Sequence, residues 1–331
     1  MDITTLKKTA QAMVVSPKGI LAADESLRTI KKRFDALGIE CTEENRLAYR
    51  QMLFTTPGVE EFLSGVILFD ETIRQKTTAG VPIPKLLEEK GIIPGIKVDK
   101  GAVDMPNFPG EKITEGLDGL KDRLIEYKAL GAHFSKWRAV ITIGEGMPTD
   151  TCIESNAESL ARYAALCQEQ DIVPMVEPEV LIDGDHTIEQ CFEVQIKTLK
   201  AVFERLKAHK VVLRGIILKP SMVLSGKDCP TQADSKKVAQ MTIDALKETV
   251  PTEVPGITFL SGGQSSDFAA ENLLEINKIG GPWPLTFSYS RGLQNEPMKI
   301  WAGKSENVKS AQDEFYKLTK KVSLARSGKA S

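Results

Sequence analysis

The chain reads as an α/β protein: one closed (β/α)8 barrel, with an N-terminal helix and extra helices at the C-terminal end. Three observations predict this TIM-barrel architecture. Eight short apolar runs lie between Gly19 and Tyr289, each bounded by Gly, Pro or a charged residue. Amphipathic stretches separate most of them, and strands alternating with helices pair in parallel through right-handed crossovers. The 331 residues show no linker, low-complexity stretch or internal repeat, so residues 1–331 read as one catalytic-size domain. An open doubly wound sheet is the rival. It wants a Gly-rich dinucleotide loop after the first strand, where "AADESLRT" stands instead.

Taken in order, Ile3, Leu6, Ala10 and Met13 recur at helical spacing and predict a leading helix over 2–15. The strands are predicted over 19–23, 64–69, 92–98, 134–142, 173–180, 215–218, 257–260 and 285–289. Between them, helices are expected over 42–53, with a capping box at Thr42, and over 116–130, stopped by Gly131. Gly80, Pro82 and Pro84 allow only pieces of helix within 72–90. Further helices are predicted over 155–170, 187–209, 233–249 and 267–279. Two closing helices follow, the last over about 306–325, and then a short polar tail over 326–331.

Composition narrows the class. With 41% apolar and 27% charged residues the chain can bury a large core, and its net charge of −2 carries no footprint for nucleic acid or acidic membrane. Five dispersed cysteines argue for a reducing compartment and against a disulfide framework or zinc site. The three histidines share no metal-ligand spacing, so no catalytic metal is expected. The N-terminus lacks the apolar core of a signal peptide and no run is long enough to span a bilayer, so a cytoplasmic protein is expected.

Chemistry in such barrels sits at the carboxyl ends of the strands. The sixth strand, in "RGIILKPS", runs into Lys219. Burial disfavours an ammonium, and a neutral amine on a rigid strand is what a Schiff-base nucleophile requires. A lysine snorkelling to the surface is the plain alternative for this residue alone. The other strand ends supply Asp24, Lys97, Lys136 with Arg138, and Glu177 with Glu179. Residues two apart on a strand share a face, so these last two pairs point inward together. The glutamates fit acid–base work, and equally a structural ion network with Lys136 and Arg138; paired carboxylates also suit glycosidases, which do not need several inward lysines. Ser261, Gly262 and Gly263 precede a helix and offer free amides where barrels often bind phosphate, with Ser288 and Arg291 beside them. A second basic set, Lys31, Lys32 and Arg33 with Ser26 and Thr29, reads either as a solvated helix face or as a grip for a second phosphate.

Several of these motifs, in this order, resemble the class I fructose-1,6-bisphosphate aldolases: "GILAADES", "TEENR", "GVILF", "GIKVDKG", "FSKWR", "VPMVEPE", "LKPSMV", "GITFLSGGQS" and "LTFSYSR". The similarity runs from about Gly19 to about Ala325. It implies a TIM barrel, usually a homotetramer, that reversibly cleaves fructose 1,6-bisphosphate to two triose phosphates in glycolysis and gluconeogenesis, without a cofactor. It implies Lys219 as the Schiff-base lysine and Glu177 as the acid/base, with Glu179, Asp24 and Lys136 orienting groups and moving protons. It implies Ser261, Gly262, Gly263, Ser288 and Arg291 at the C1-phosphate, Ser26, Thr29, Arg33 and Lys97 at the other phosphate, and Arg46 and Arg138 near the substrate. Another Schiff-base barrel enzyme, of the transaldolase or 2-keto acid lyase type, and an aldolase-like scaffold are the alternatives. Many members have Gly where Arg28 and Ser290 stand. Eukaryotic members end in a longer tail with a terminal Tyr, whereas this sequence stops at "SLARSGKAS". Proton delivery to C3 is therefore expected from water, Glu177, Asp24 or a nearby lysine.

Overall fold

The computed structural model describes residues 1–329. Asp2 accepts hydrogen bonds from the amides of Thr4 and Thr5 and so starts α1 (Ile3–Met13), whose buried stripe is Leu6, Ala10 and Met13. Ten strands follow: β1 (Gly19–Ala23), β2 (Leu63–Leu68), β3 (Ile93–Lys97), β4 (Gly101–Asp104), β5 (Lys112–Glu115), β6 (Phe134–Ile141), β7 (Val173–Val180), β8 (Ile217–Leu218), β9 (Ile257–Phe259) and β10 (Leu285–Tyr289). Eight close a barrel in the order β1, β2, β3, β6, β7, β8, β9, β10 and back to β1. Every barrel pairing is parallel. The eight predicted strands are these eight.

Side-chain parity divides the core in two. Ile20, Ala22, Ile67, Phe134, Val173, Met175 and Ile217 form one cluster with the apolar stripe of α1. Their odd-numbered or even-numbered strand neighbours, such as Leu21, Leu68, Trp137, Val176 and Phe259, belong to the larger cluster under the helices. A strand alternates faces residue by residue. The first set therefore faces the barrel interior, and α1 plugs its floor. The same parity carries Asp24, Lys97, Lys136, Arg138, Glu177, Glu179, Lys219 and Ser288 to the inside, above that apolar floor.

Phe134 fills the centre. A Cβ placed on Gly95 would lie 2.3 Å from its ring, so β3 has no side chain at that point. Gly95→Ala is expected to lower stability by about 2 kcal/mol, the usual cost of overpacking a core. Urea unfolding measures it; an unchanged midpoint would mean that Phe134 turns away freely.

The outer layer is α2 (Leu27–Asp35), α3 (Glu43–Phe54), α4 (Asp70–Arg74), α5 (Ile83–Glu89), α6 (Leu120–Ala129), α7 (Asp150–Glu169), α8 (Ile188–Ala208), α9 (Ser235–Thr249), α10 (Ser266–Ile279), α11 (Arg291–Trp301) and α12 (Val308–Arg326). Several boundaries differ from expectation. Helix α7 begins at Asp150 rather than 155, because Thr149 caps the amide of Cys152. Helix α6 begins at Leu120, after Gly119 takes a left-handed φ of 64°. Thr42 caps the Asn45 amide, but Asn45 donates its side chain to Glu40 O, so no reciprocal box forms there. The reciprocal box is at α8, between Thr187 and Gln190. The antiparallel β4–β5 hairpin was not expected; it lies over β6, where Thr114 Oγ1 donates to Arg138 O at 2.7 Å. At the C-terminal end, α12 reaches Arg326, the first residue of the expected tail. The Arg326 guanidinium donates to the carbonyls of Val14, Val15 and Lys18, which fastens α12 to the α1–β1 loop. The last two residues of that expected tail, 330 and 331, lie outside the described residues.

Candidate active site

Lys219 follows the two-residue strand β8 directly, and its amide donates to Val176 O on β7 at 2.8 Å. The side chain is 3% exposed, and its Nζ lies 3.1 Å from Glu177 Oε1. Lys136 Nζ stands 2.5 Å from Asp24 Oδ2 and 3.2 Å from Glu177 Oε2. That second contact is an ion pair but is not aligned as a hydrogen bond. Four buried ionisable groups from β1, β6, β7 and β8 thus form one alternating chain: Asp24, Lys136, Glu177, Lys219.

The two lysines have opposite fates. Burial draws the Lys219 pKa down and the Lys136 charge adds to that, outweighing Glu177 and Asp24, which favour its ammonium form. Burial also works against a charged Lys136, but the carboxylates of Asp24, Glu177 and Asp99 overcome it and hold its pKa above the usual value. Burial disfavours the ionised forms of Asp24 and Glu177, yet the lysines, Lys136 foremost, hold both below the usual carboxylate range. The resting cluster is therefore two carboxylates, one firm ammonium and one amine whose proton is loosely held.

Around it, Arg138 Nε donates to Glu179 Oε2 at 2.5 Å. Lys97, level with Lys136 in the sheet register, is held by Asp99 through its carbonyl at 2.6 Å and its carboxylate at 2.5 Å. Gly262 and Gly263 adopt φ of 40° and 86°, a left-handed pair that turns the chain from Ser261 toward the N-terminus of α10. A Cβ on Gly262 would lie 3.5 Å from Glu179 Oε1, and one on Gly292 3.6 Å from Ser261 Oγ. The Ser261 turn thus adjoins both Glu179 and the start of α11, which Arg291 opens as an exposed residue. Ser288 Oγ is buried without a hydrogen-bond partner among the described residues.

After β1, the strand paired with β10, Ser26 caps α2, its hydroxyl 3.1 Å from Thr29 Oγ1. Arg33 pairs with Glu25 and donates to Asn295 Oδ1 at 3.1 Å. The basic run is thus the amphipathic helix α2, with Ile30 and Phe34 buried and Arg33 turned inward. Arg46 donates to both oxygens of Glu71 and to Cys41 O. Two buried carboxylates escaped sequence reasoning, Glu25 and Asp99. Asp99 had a local signal, two residues after Lys97 in "GIKVDKG"; Glu25 had none beyond its place beside Asp24.

The family profile for class I fructose-bisphosphate aldolase matches residues 5–331. The chain is 56% identical over 331 residues to a probable class 1 fructose-bisphosphate aldolase of Xanthomonas campestris pv. campestris, covering 99% of each chain. It is 52% identical over 326 residues to the cytosolic fructose-bisphosphate aldolase 5 of Arabidopsis thaliana, covering 98% of this chain and 91% of that one. A solved structure of the Plasmodium falciparum fructose-bisphosphate aldolase, in complex with TRAP and a small-molecule inhibitor, superposes with a TM-score of 0.98 at 49% identity, covering 99% and 96% of the two chains. The barrel, the buried lysine at its sixth strand end and these matches together establish that the chain belongs to the class I fructose-bisphosphate aldolases, the glycolytic carbon–carbon lyases that cleave fructose bisphosphate through a Schiff base.

Proposed function

We propose that Lys219 is the lysine that forms the Schiff base, with Glu177 as its proton-transfer partner. The observation that carries this is the 3.1 Å approach of a buried, easily deprotonated amine to an ionised carboxylate. Lys219 attacks the C2 ketone of the open-chain bisphosphate. The Lys136 ammonium gives a proton to the C2 oxygen, which becomes a hydroxyl. Glu177 takes the proton that the new C–N bond releases and returns it to that hydroxyl, which leaves as water. The imine nitrogen thus keeps one hydrogen, and Lys136 recovers its proton when the imine is later hydrolysed. The protonated imine is the electron sink. A carboxylate of the cluster accepts the C4 hydroxyl proton, the C3–C4 bond breaks and glyceraldehyde 3-phosphate departs. The enamine is protonated at C3 and hydrolysed to dihydroxyacetone phosphate, which frees Lys219. Asp24 holds Lys136 protonated beside Glu177, and Glu179 fixes Arg138. Borohydride reduction in the presence of dihydroxyacetone phosphate should label Lys219 alone; a label mapped to Lys97 or Lys136 would overturn the assignment.

Two sets of side chains take the two phosphates in this reading. Ser261, Gly262, Gly263, Ser288 and Arg291 take the C1-phosphate, supported by the left-handed amide turn and the unpartnered Ser288 hydroxyl. Ser26, Thr29, Arg33 and Lys97 take the C6-phosphate, with Arg138 between, while Arg46 positions the neighbouring helices through Glu71. Arg291→Ala is expected to raise KM for fructose 1,6-bisphosphate by about 30-fold, the scale of one lost charge-assisted contact, with a smaller change in kcat. An unchanged KM would place the phosphate elsewhere.

The enzyme acts as one catalytic domain in a cytoplasmic homotetramer, serving gluconeogenesis in the reverse direction. Exposed apolar side chains on the hairpin and α6, Val103 and Ile125, support a subunit contact. Sedimentation of the purified chain tests the tetramer. Among the described residues no helix is long and apolar enough to cross a membrane.

A further inference from the structure

We propose that Ser290 is a positioning residue that adds to the preference of this chain for a bisphosphate over a monophosphate, by letting Glu25 release Arg33 to the second phosphate. This rests on the reading of Ser26, Thr29 and Arg33 as the C6-phosphate end.

Glu25 is buried and shared. Its Oε1 takes Arg33 from α2 and the hydroxyl of Ser290, 3.2 Å away at the start of α11. Its Oε2 and main-chain carbonyl take Arg50 Nη2 from α3, at 3.2 and 3.1 Å. The two arginines are not equivalent. Arg50 is 1% exposed and also bonded to Thr72, whereas Arg33 is 13% exposed and reaches Asn295 at the surface. Arg50 is the fixed counter-ion and Arg33 the exchangeable one.

The direction of the Ser290 bond follows from its neighbours. Gln294 Nε2 must face Ala22 O, a pure acceptor 2.7 Å away, and its other hydrogen goes to Ser290 Oγ at 3.2 Å. Gln294 Oε1 then accepts from Tyr49 at 2.9 Å, a contact that suits this orientation of the amide. The Ser290 hydroxyl is thus already an acceptor toward Gln294, and its single hydrogen is left for Glu25.

This arrangement decides what happens when an anion arrives at the N-terminus of α2. A phosphate dianion draws Arg33 off Glu25. Without Ser290, Oε1 would then be a buried acceptor with no donor, a costly state. With Ser290 it keeps one, and Oε2 keeps Arg50. The hydroxyl lowers the cost of surrendering Arg33, and only a substrate with a second phosphate demands that surrender.

The test compares fructose 1,6-bisphosphate with fructose 1-phosphate as substrates. Ser290→Ala should lower kcat/KM for the bisphosphate by about tenfold and shift that for the monophosphate by less than about twofold, the scale of one lost bond to a buried charge. Ser290→Thr, which keeps the hydroxyl, should restore the bisphosphate value. An equal loss on both substrates would show that Ser290 merely supports α11 and Arg291, and no loss on either would show no role; each overturns the proposal. Arg33→Ala separates the two levels. It should weaken the bisphosphate more than the monophosphate. If it does so while Ser290→Ala does not, Arg33 keeps its place and the inference about Ser290 fails. If Arg33→Ala affects both substrates equally or neither, the reading of the C6-phosphate end fails and the inference with it.

Discussion

Lys219→Met is expected to reduce kcat for cleavage by a factor of about 10⁵ while leaving the protein folded, since loss of an enzyme's nucleophile costs on that order. Methionine matches the length and apolar stem of lysine, fits a site 3% exposed, and carries no amine. The barrel should tolerate it because burial already works against the charged lysine, and a buried ion replaced by an apolar side chain is often neutral or stabilising. The partners are not stranded, because Lys136 still faces both Asp24 and Glu177. A stability readout checks the same physics. The folded-state pKa of Lys219 lies below the ordinary 10.5, so the unfolded chain binds more protons between those two values. Wild-type stability relative to the variant should therefore rise with pH through that window. A melting-temperature difference that falls with pH would contradict the depressed pKa. A variant retaining more than about 1% of the wild-type kcat would take Lys219 out of covalent catalysis.

What local pattern encodes and what it does not can be seen in particular residues. The barrel strands were legible because each is a run of a few apolar residues between Gly, Pro or charge, and parity along them carried Lys136, Glu177 and Lys219 inward. The hairpin was harder: Val103 and its neighbours are exposed, so no burial pattern marks β4, and only Pro106, Pro109 and Gly110 between the strands signal a turn. Helix α2 hides in a charge run, although Ser26 as its cap and Ile30 with Phe34 four apart would have revealed it. The network around Glu25 was beyond local reading altogether, since it joins Arg33 and Arg50 to Ser290, 265 residues on. Motif position likewise set Arg46 near the substrate, and no local pattern announced its partner Glu71, 25 residues away.

Glu177→Gln should lower kcat by about 10³, within the usual range for a lost proton-transfer group. The substitution keeps the shape and removes only the ability to take and return a proton. The nucleophile survives it. The Glu177 carboxylate favours the charged form of Lys219, so its loss lets the amine pKa fall further and leaves more of it neutral at rest. Lys136 stays protonated through Asp24 at 2.5 Å. Attack on the ketone should then proceed while dehydration of the carbinolamine stalls. Borohydride reduces the imine and not the carbinolamine, so trapping with dihydroxyacetone phosphate should slow in parallel with cleavage. Trapping as fast as wild type, with cleavage still slow, would move the work of Glu177 to the C4 hydroxyl and the breaking of the C3–C4 bond. A kcat within about tenfold of wild type would leave proton transfer to Asp24, the other buried carboxylate of the cluster.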